Sequence, residues 1–293
     1  MGWRNCICPS FIVRRKFKCY CFSNNLYRFE RKTSSLKKDF FLPTPVKSIR
    51  DILIFEFSSG KKLVVGCDSA GGIGPKSLDK IKVDGYTLGK FTARVTLMEV
   101  LATGAKPFCI IDTLSVELEP TGLEILEGIK EEAKIAGLDP KAAITGGSEK
   151  NFKVEQTGIG VTVIGLAKKE GLRIGISKPN NIIVAIGTPC VGNEVISAEK
   201  EHKIADLIDL QNLLNCKFIN EIIPVGSEGI DYEIQVLAKS SNLKYELINQ
   251  SELNLKKSAG PATVILASLD KSKLAELKTI ITKPVKIIAQ LFA

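Results

Sequence analysis

The chain has 293 residues, of which 44% are hydrophobic and 25% are charged, and its formal net charge is +9. This composition is typical of a globular protein and excludes a largely disordered or collagen-like chain, while the length favours two domains. No apolar run approaches the 18 residues that a membrane-spanning helix needs.

The positive charge is concentrated at the start of the chain. Residues 1–42 contain ten basic and two acidic residues, a net charge of +8, which leaves +1 for the remainder. The segment lacks the apolar core of a secretory signal, and its cysteines and aromatic residues do not fit a mitochondrial presequence. A metal knuckle of Cys6-x-Cys8 and Cys19-x-Cys21, or a nucleic-acid-binding segment, are alternative interpretations. We favour a third, in which residues 1–45 are not part of the functional fold, because the composition changes abruptly near residues 42–45.

From residue 46 onward the apolar spacing predicts alternating strands and helices. The strands predicted in the first half are Ile49–Phe57, Lys62–Cys67, Pro107–Val116, Ala143–Gly147 and Gly158–Ala167. One helix is predicted over Thr92–Thr103. A second is predicted to begin at a capping box, Thr121–Glu124, and to end at Gly137.

A polar segment, residues 169–181, predicts a boundary between a domain of residues 46–168 and a domain of residues 169–293. The second half repeats the α/β pattern. Its predicted strands are Asn181–Gly187, Lys244–Ile248, Ala262–Ala267 and Pro284–Phe292, and its predicted helices are Glu201–Asn215, Ile230–Lys239 and Lys271–Ile281.

Histidine chemistry is not expected, because His202 is the only histidine and lies in a charged run typical of a surface. The glycine motifs of P-loop and dinucleotide-binding proteins are absent. The four cysteines beyond residue 42 lie in apolar surroundings and are predicted to be buried, reduced thiols in a cytoplasmic protein. They are Cys67, Cys109, Cys190 and Cys216.

Four acidic residues are candidates for a functional site, namely Asp68, Glu99, Asp112 and Glu149. Asp68 and Glu149 follow predicted strands beside glycines, Asp112 lies within an apolar strand, and Glu99 interrupts an apolar helix. Glycine loops at strand ends let backbone amides approach phosphates, and converging carboxylates bind Mg²⁺ together with substrate phosphates. Each acid alone could equally cap a turn or bond a hydroxyl, but together they favour a metal–phosphate site.

The segment Met98–Pro107, M-E-V-L-A-T-G-A-K-P, resembles a helix end in the aminoimidazole ribonucleotide synthetase-like ATP-binding superfamily, which includes thiamine-monophosphate kinase and selenophosphate synthetase. Asp68, the Gly146-Gly147 turn and Thr162–Gly165 follow in the family's order, and the resemblance covers residues from about 48 to 293. It implies an α/β (α+β) fold of two domains, with an N-terminal mixed sheet plus helices and a C-terminal α/β sandwich. It also implies a homodimer in which strands of the N-terminal domains pack together.

Within the superfamily, the α-ribazole kinase subgroup is most similar, through Asp68–Lys76, Gly89–Leu101 and Gln156–Gly165. This resemblance implies transfer of a phosphoryl group from ATP to the 5′-hydroxyl of a nucleoside, α-ribazole. Asp68 or Asp112 would lie nearest the hydroxyl, and Asp68, Glu99, Asp112 and Glu149 would hold Mg²⁺. The residues expected to bind ATP phosphates are Gly71, Gly72, Gly74, Lys76, Lys90, Arg94, Gly146, Gly147 and Ser148.

Three features depart from the family pattern. Met98-Glu99 replaces an Asn-Asp pair, Gly-Gly-Ser-Glu replaces Gly-Gly-Asp-Thr, and Asp51 is the one acid where related kinases carry two. Two alternatives therefore stay open. One is another enzyme of the superfamily, such as thiamine-monophosphate kinase or aminoimidazole ribonucleotide synthetase. The other is a non-enzymatic nucleic-acid binder that uses residues 1–42.

Overall fold

The computed structural model describes residues 46–168, 170–248 and 253–293. The predicted extension, residues 1–45, and the metal and nucleic-acid interpretations of it lie outside the described residues. The described chain forms two large sheets with helices packed against them.

The first sheet contains six strands: β1 (Val46–Ile49), β2 (Ile52–Glu56), β3 (Lys62–Gly71), β6 (Lys106–Leu114), β7 (Ile144–Ser148) and β8 (Gly158–Ala167). Their order is β1-β2-β3-β8-β6-β7. All neighbours are antiparallel except β6 and β7, which are parallel. Because β8 runs opposite to both of its neighbours, β3, β6 and β7 point the same way, and their carboxyl ends meet at one edge of the sheet. A short parallel pair, β4 (Ile73–Gly74) and β5 (Ile81–Lys82), follows β3.

Helix α1 (Gly85–Ala102) packs against β3, β8 and β6 of this sheet, and helix α2 (Leu123–Ile135) packs against α1. They approach each other closely at two glycines. A Cβ at Gly89 would lie 2.0 Å from the carbonyl oxygen of Ile125, and one at Gly128 would lie 2.1 Å from that of Tyr86. Any larger side chain at either position would push the helices apart. A short helix, α3 (Pro140–Ala143), leads into β7.

The second sheet contains five antiparallel strands in the order β10-β12-β9-β13-β11. They are β9 (Ile182–Gly187), β10 (Ile219–Pro224), β11 (Lys244–Leu247), β12 (Val264–Leu269) and β13 (Val285–Phe292). The helices of this half are α4 (Glu194–Lys200), α5 (Leu207–Asn215), α6 (Gly229–Ser240) and α7 (Leu274–Ile280).

The central strands of the second sheet are apolar on both faces because each face is covered. Every residue of β9 and β12 is buried. Ile182 and Val184 share one cluster with side chains of α5, whereas Ile183 and Ala185 share another with side chains of α6. The predicted α/β architecture, with a mixed first sheet and an α/β sandwich after it, is therefore confirmed. The division at residues 168 and 169 stays a prediction, since one buried cluster contains residues of both sheets.

Several predicted boundaries are wrong for identifiable reasons. Arg50, with φ at 56°, turns the chain between β1 and β2, so Ile49–Phe57 is not one strand. Strand β3 continues to Gly71, which places Asp68 inside the strand rather than at its end. Helix α1 begins seven residues earlier than predicted, after Asp84, whose carboxylate accepts a hydrogen bond from the amide of Thr87.

The predicted capping box at Thr121 is also wrong, because both side chains bond to groups outside α2. The hydroxyl of Thr121 donates to Glu117 at 2.6 Å. The carboxylate of Glu124 accepts from the amide of Gly85 at 3.1 Å, at the start of α1. Neither side chain caps α2.

In the second half, residues 201–206 are not helical, and Asp206 instead caps α5. The sequence reading omitted both α4 and β10. Two of the predicted buried cysteines, Cys190 and Cys216, are buried, but Cys67 is exposed and Cys109 is half-buried. None of the helices in the described ranges is long and apolar enough to cross a membrane.

Candidate active site

Three connecting segments meet where the carboxyl ends of β3, β6 and β7 come together. They are residues 72–84, 115–122 and 149–157. Strand ends that converge in this way are a common location for ligand sites, because the loops can vary without disturbing the sheet. The residues of this edge are therefore the natural starting point for a functional site.

Asp79, which sequence reasoning missed, fixes the first of these loops. It is 5% exposed and its carboxylate accepts three hydrogen bonds, from the amide of Lys76 at 2.8 Å and from the amide and hydroxyl of Thr157 at 2.8 and 2.6 Å. Gly74 has φ at 145°, and a Cβ there would lie 2.5 Å from the hydroxyl oxygen of Thr157. We call residues 72–84 the glycine loop, because Gly72 and Gly74 lie at its start. Its hydrogen bonds to Thr157 fix it to the start of β8.

Asp68 and Asp112, the two predicted catalytic acids, lie in one row across the sheet. Asp68 pairs with Val161, Val161 with Asp112, and Asp112 with Gly146. With strands about 4.8 Å apart, the Cα atoms of the two aspartates are about 10 Å apart. Strand alternation puts both side chains on the face that carries the helices, since the buried Val64 and Ile110 share that face. The predicted catalytic role of the two acids stays a prediction.

The carboxylate of Asp112 occupies the space that a side chain at Gly146 would need. A Cβ at Gly146 would lie 2.3 Å from the carboxyl carbon and from both oxygens. Asp112 is 3% exposed, and burial raises the pKa of its carboxyl group. Burial also raises the pKa of Asp68, against a hydrogen bond from the amide of Ser69. Both acids therefore hold a proton more tightly than a solvated aspartate does.

Glu99 lies on α1 beside β3, since a Cβ at Gly66 would be 3.7 Å from the Cβ of Glu99. Burial raises the pKa of Glu99 to about 8, and the charges of Asp51 and Glu233 add to this, while Arg50 opposes it. Arg50 itself is bound to the buried carboxylate of Glu221 and to the carbonyl of Ile222. It therefore connects the β1–β2 turn with β10.

The carboxylate of Glu149 is hydrogen-bonded within its own loop. Its carboxylate accepts a hydrogen bond from the amide of Asn151 at 2.6 Å, and such backbone hydrogen bonds lower its pKa. Its own amide donates to the carbonyls of Leu114 and Val116. Across the described ranges, no three His, Cys, Asp or Glu side chains are grouped closely enough to hold a metal ion. Asp68, Glu99, Asp112 and Glu149 thus do not form one cluster.

The basic residues predicted to meet phosphate are engaged with carboxylates. Lys76 donates to both oxygens of Glu117 at 2.6 and 2.5 Å. Lys90 lies 3.7 Å from Glu131 and 3.3 Å from Glu199, and Arg94 lies 2.7 Å from Glu132 and 3.0 Å from Glu199. The Lys90 and Arg94 pairs join α1 to α2 and α4.

Lys82 is a further basic residue that sequence reasoning did not select. Its ammonium donates to the carbonyls of Lys76 and Ser77 and, within the described part of the chain, forms no ion pair with a carboxylate.

The glycines predicted to bind phosphate lie at the ends of β3 and β7. Gly71 is exposed, Gly72 has φ at 72°, and Gly147 has open space around its Cα. Gly146, Gly147 and Ser148 form the last part of β7, paired with residues 112–114. His202 is exposed, as predicted.

The comparisons with known proteins agree with the fold. Residues 50–167 match the family model described as AIR synthase related protein, N-terminal domain. No curated protein sequence matches the chain significantly.

Solved structures resemble it over most of its length. The structure described as AaThiL complexed with AMPPCP and TMP has a TM-score of 0.58 and 15% identity, and the match covers 93% of this chain and 94% of that one. Thiamine-monophosphate kinase from Stenotrophomonas maltophilia K279a has a TM-score of 0.56 and 14% identity, with 92% and 93% covered. Hydrogenase maturation protein HypE in complex with ATP has a TM-score of 0.57 and 13% identity, with 79% and 77% covered. At these identities the likeness shows the fold, which is the aminoimidazole ribonucleotide synthetase-like fold.

Proposed function

We propose that the protein is an ATP-dependent small-molecule kinase and that its acceptor is the 5′-hydroxyl of α-ribazole. The observation that carries the proposal is the row formed by Asp68, Asp112 and Gly146 beneath a rigid glycine loop, in a chain whose residues 50–167 match the AIR synthase-related domain. Two of the similar structures are described as complexes with ATP or with AMPPCP, which supports ATP as the donor.

Phosphoryl transfer requires positioning and neutralisation of charge more than covalent chemistry. The two carboxylates of the row would position the acceptor hydroxyl and hold a cation that neutralises the phosphates. In the proposed reaction the acceptor oxygen forms a bond to the γ-phosphorus, the bond from that phosphorus to the β–γ bridging oxygen breaks, and ADP leaves. The hydroxyl proton passes to a carboxylate. Asp68 is the better candidate for this role because it is partly exposed, whereas Asp112 is buried. A raised pKa suits a proton acceptor.

The donor set fits Mg²⁺, since carboxylate oxygens are its preferred protein ligands. Asp68 and Asp112 lie too far apart at their Cα atoms to predict one compact protein cage, but Mg²⁺ usually takes one or two carboxylates and completes its shell with phosphates and water. Asp68, with Glu99 beside it, or Asp112 would hold the ion. When bound, it neutralises charge on the phosphates of ATP. Glu149 is left out of the proposed magnesium ligands, because backbone amides donate hydrogen bonds to its carboxylate.

The phosphates are proposed to lie over the glycine loop and the end of β7. Gly71, Gly72 and Gly74 present a backbone without side chains, and Lys76 and Lys82 bring positive charge to the same loop. Gly146, Gly147 and Ser148 would contribute from the neighbouring strand. Lys90 and Arg94 are omitted from the proposal, because they pair with carboxylates of helices α2 and α4 rather than with groups of the loops at the strand ends.

The resemblance also led to the expectation of a homodimer, which we retain as a proposal. On the face of the first sheet opposite α1, Leu53 and Leu166 are 41% and 40% exposed, and Cys67 lies among the same outward-facing positions. An exposed apolar sheet face is favourable for burial against a second copy.

A phosphorylated acceptor, such as thiamine monophosphate, is the second candidate, and Lys82 is the observation that favours it. A lysine without a carboxylate partner could bind an acceptor phosphate as readily as one of ATP. α-Ribazole carries no phosphate, so it needs no such additional cation.

The proposal is tested by incubating the full-length protein with ATP labelled at the γ-phosphate and, in parallel, α-ribazole, thiamine monophosphate or formylglycinamidine ribonucleotide. The account predicts transfer of label to α-ribazole in a magnesium-dependent reaction. Label in thiamine diphosphate instead would favour the second candidate. ATP hydrolysis coupled to formylglycinamidine ribonucleotide would favour the synthetase.

A further inference from the structure

Glu117 holds a lysine of the glycine loop from across the sheet edge. Glu117 and Lys76 are 41 residues apart in sequence, yet both oxygens of the glutamate accept hydrogen bonds from the Lys76 ammonium at 2.6 and 2.5 Å. The hydroxyl of Thr121 donates to the same carboxylate at 2.6 Å. At its other end, the backbone amide of Lys76 donates to the buried Asp79. Lys76 is therefore fixed at both its backbone and its ammonium.

This fixation leaves the ammonium able to bind a further group. A lysine ammonium has three N–H donors, and the two oxygens of Glu117 take at most two of them. The Lys76 side chain is 20% exposed, so it is not fully enclosed by the protein. A lysine that is already ordered loses less conformational entropy when a ligand binds than a free one does.

We propose that Glu117 is a positioning residue, which holds the Lys76 ammonium over the sheet edge for the phosphate groups of ATP. The proposal rests on the proposed function, because that function places ATP at this edge. Protein kinases show the same chemical logic, since a lysine that binds the nucleotide phosphates must be held by a glutamate from a helix.

The protonation state of Glu117 is consistent with this role. Burial raises its pKa, but hydrogen bonds from Lys76 and Thr121 outweigh burial and lower the pKa to about 2. The carboxylate therefore stays charged at every pH at which the enzyme would be assayed.

The opposite role for Glu117 would be to weaken ATP binding. The negative charge of Glu117 could repel ATP, and its contact with Lys76 could compete with phosphate. In that situation removal of the charge would strengthen ATP binding. A merely structural role would instead change the binding of every ligand at this edge, with or without phosphates.

The test uses the full-length protein and calorimetric binding of a non-hydrolysable ATP analogue and of adenosine, which has no phosphate. The variants are Glu117→Gln, Lys76→Met and the double variant. Glu276→Gln is the matched control, because it removes an exposed lysine–glutamate pair of 2.8 Å in the second half of the chain. Thermal unfolding verifies that each variant is folded.

We expect Glu117→Gln to weaken binding of the ATP analogue about tenfold and to leave adenosine binding and the control unchanged. The double variant should bind no more weakly than Lys76→Met, because Glu117 acts through Lys76. Equal weakening for adenosine, tighter ATP binding, or independent losses in the double variant would each overturn the positioning role. If the wild-type protein binds adenosine and ATP analogue equally or not at all, the proposed kinase function fails first.

Discussion

Gly146 is the position where a single methyl group should disturb the proposed site most directly. A Cβ added there would lie 2.3 Å from three atoms of the Asp112 carboxylate, whereas ordinary van der Waals contact begins near 3.4 Å. The carboxylate or the β6–β7 pairing must therefore shift by about 1 Å. Overpacking of this kind costs about 1–3 kcal/mol, which for a chain of this size lowers the melting temperature by about 2–4 °C per kcal/mol.

The neighbouring glycine provides the matched control. Gly147 lies on the same strand, and a Cβ there would meet nothing within 4 Å. Neither glycine has a positive φ, so alanine introduces no backbone strain at either position. Gly146→Ala should therefore lower stability and reduce phosphoryl transfer about a hundredfold, since a displacement of about 1 Å can have that effect on a catalytic group. Gly147→Ala should leave stability close to wild type, because its Cβ meets nothing.

The assay combines thermal unfolding with the rate of γ-phosphoryl transfer, for both single variants and for Gly146→Ala combined with Asp112→Ala. Removal of the Asp112 carboxylate should relieve the clash, so the stability cost of Gly146→Ala should be smaller in the Asp112→Ala background. If Gly146→Ala and Gly147→Ala behave alike, or if the cost is unchanged without the carboxylate, the assignment of this space to Asp112 is wrong.

Three further predictions concern the glycine loop, a buried acid in the second half of the chain and the exposed face of the first sheet. Asp79→Ala should lower the free energy of unfolding by about 2–3 kcal/mol in chemical denaturation, because it leaves the buried donors of Thr157 unpaired, and an unchanged value would contradict the loop assignment. Burial and the charge of Asp206 raise the pKa of Asp209 to about 7, so the folded state binds a proton more tightly. The contribution of Asp209 to the free energy of unfolding should be greatest below about pH 4 and should fall by about 1 kcal/mol or more as the pH rises towards 7. Asp209→Asn should flatten that part of the stability profile. Leu166→Lys should convert the proposed dimer to a monomer in sedimentation analysis, and a wild-type protein that is already monomeric would refute the dimer.

Local patterns were sufficient to predict much of the fold. Strand β8 is predicted at its observed bounds, Gly158–Ala167, and its residues alternate between buried and more exposed positions. The start of α1 was missed, since Gly85 and Gly89 are poor helix formers and are present for close packing against α2. Strand β10 was missed because it contains Glu221, whose burial depends on Arg50, a residue 171 positions away.

The site was less accessible to sequence reasoning for the same reason. Glycines and isolated acids indicated the neighbourhood of Asp68 and Asp112, and their pairing in one row follows from strand register. The contacts that organise the edge are long-range, however. Asp79 meets Thr157 across 78 residues, and Lys76 meets Glu117 across 41 residues. No local sequence pattern distinguishes Asp79 from an ordinary surface acid.

The most direct measurement of the central claim is γ-phosphoryl transfer to α-ribazole by the Asp68→Asn variant, compared with wild type and with Asp270→Asn. Asp270 is an aspartate outside the proposed site that caps a helical turn in the second half of the chain, so its variant controls for the loss of a carboxylate. The account predicts that Asp68→Asn abolishes transfer while its melting temperature stays within a few degrees of wild type. Near-normal turnover by folded Asp68→Asn would contradict the account.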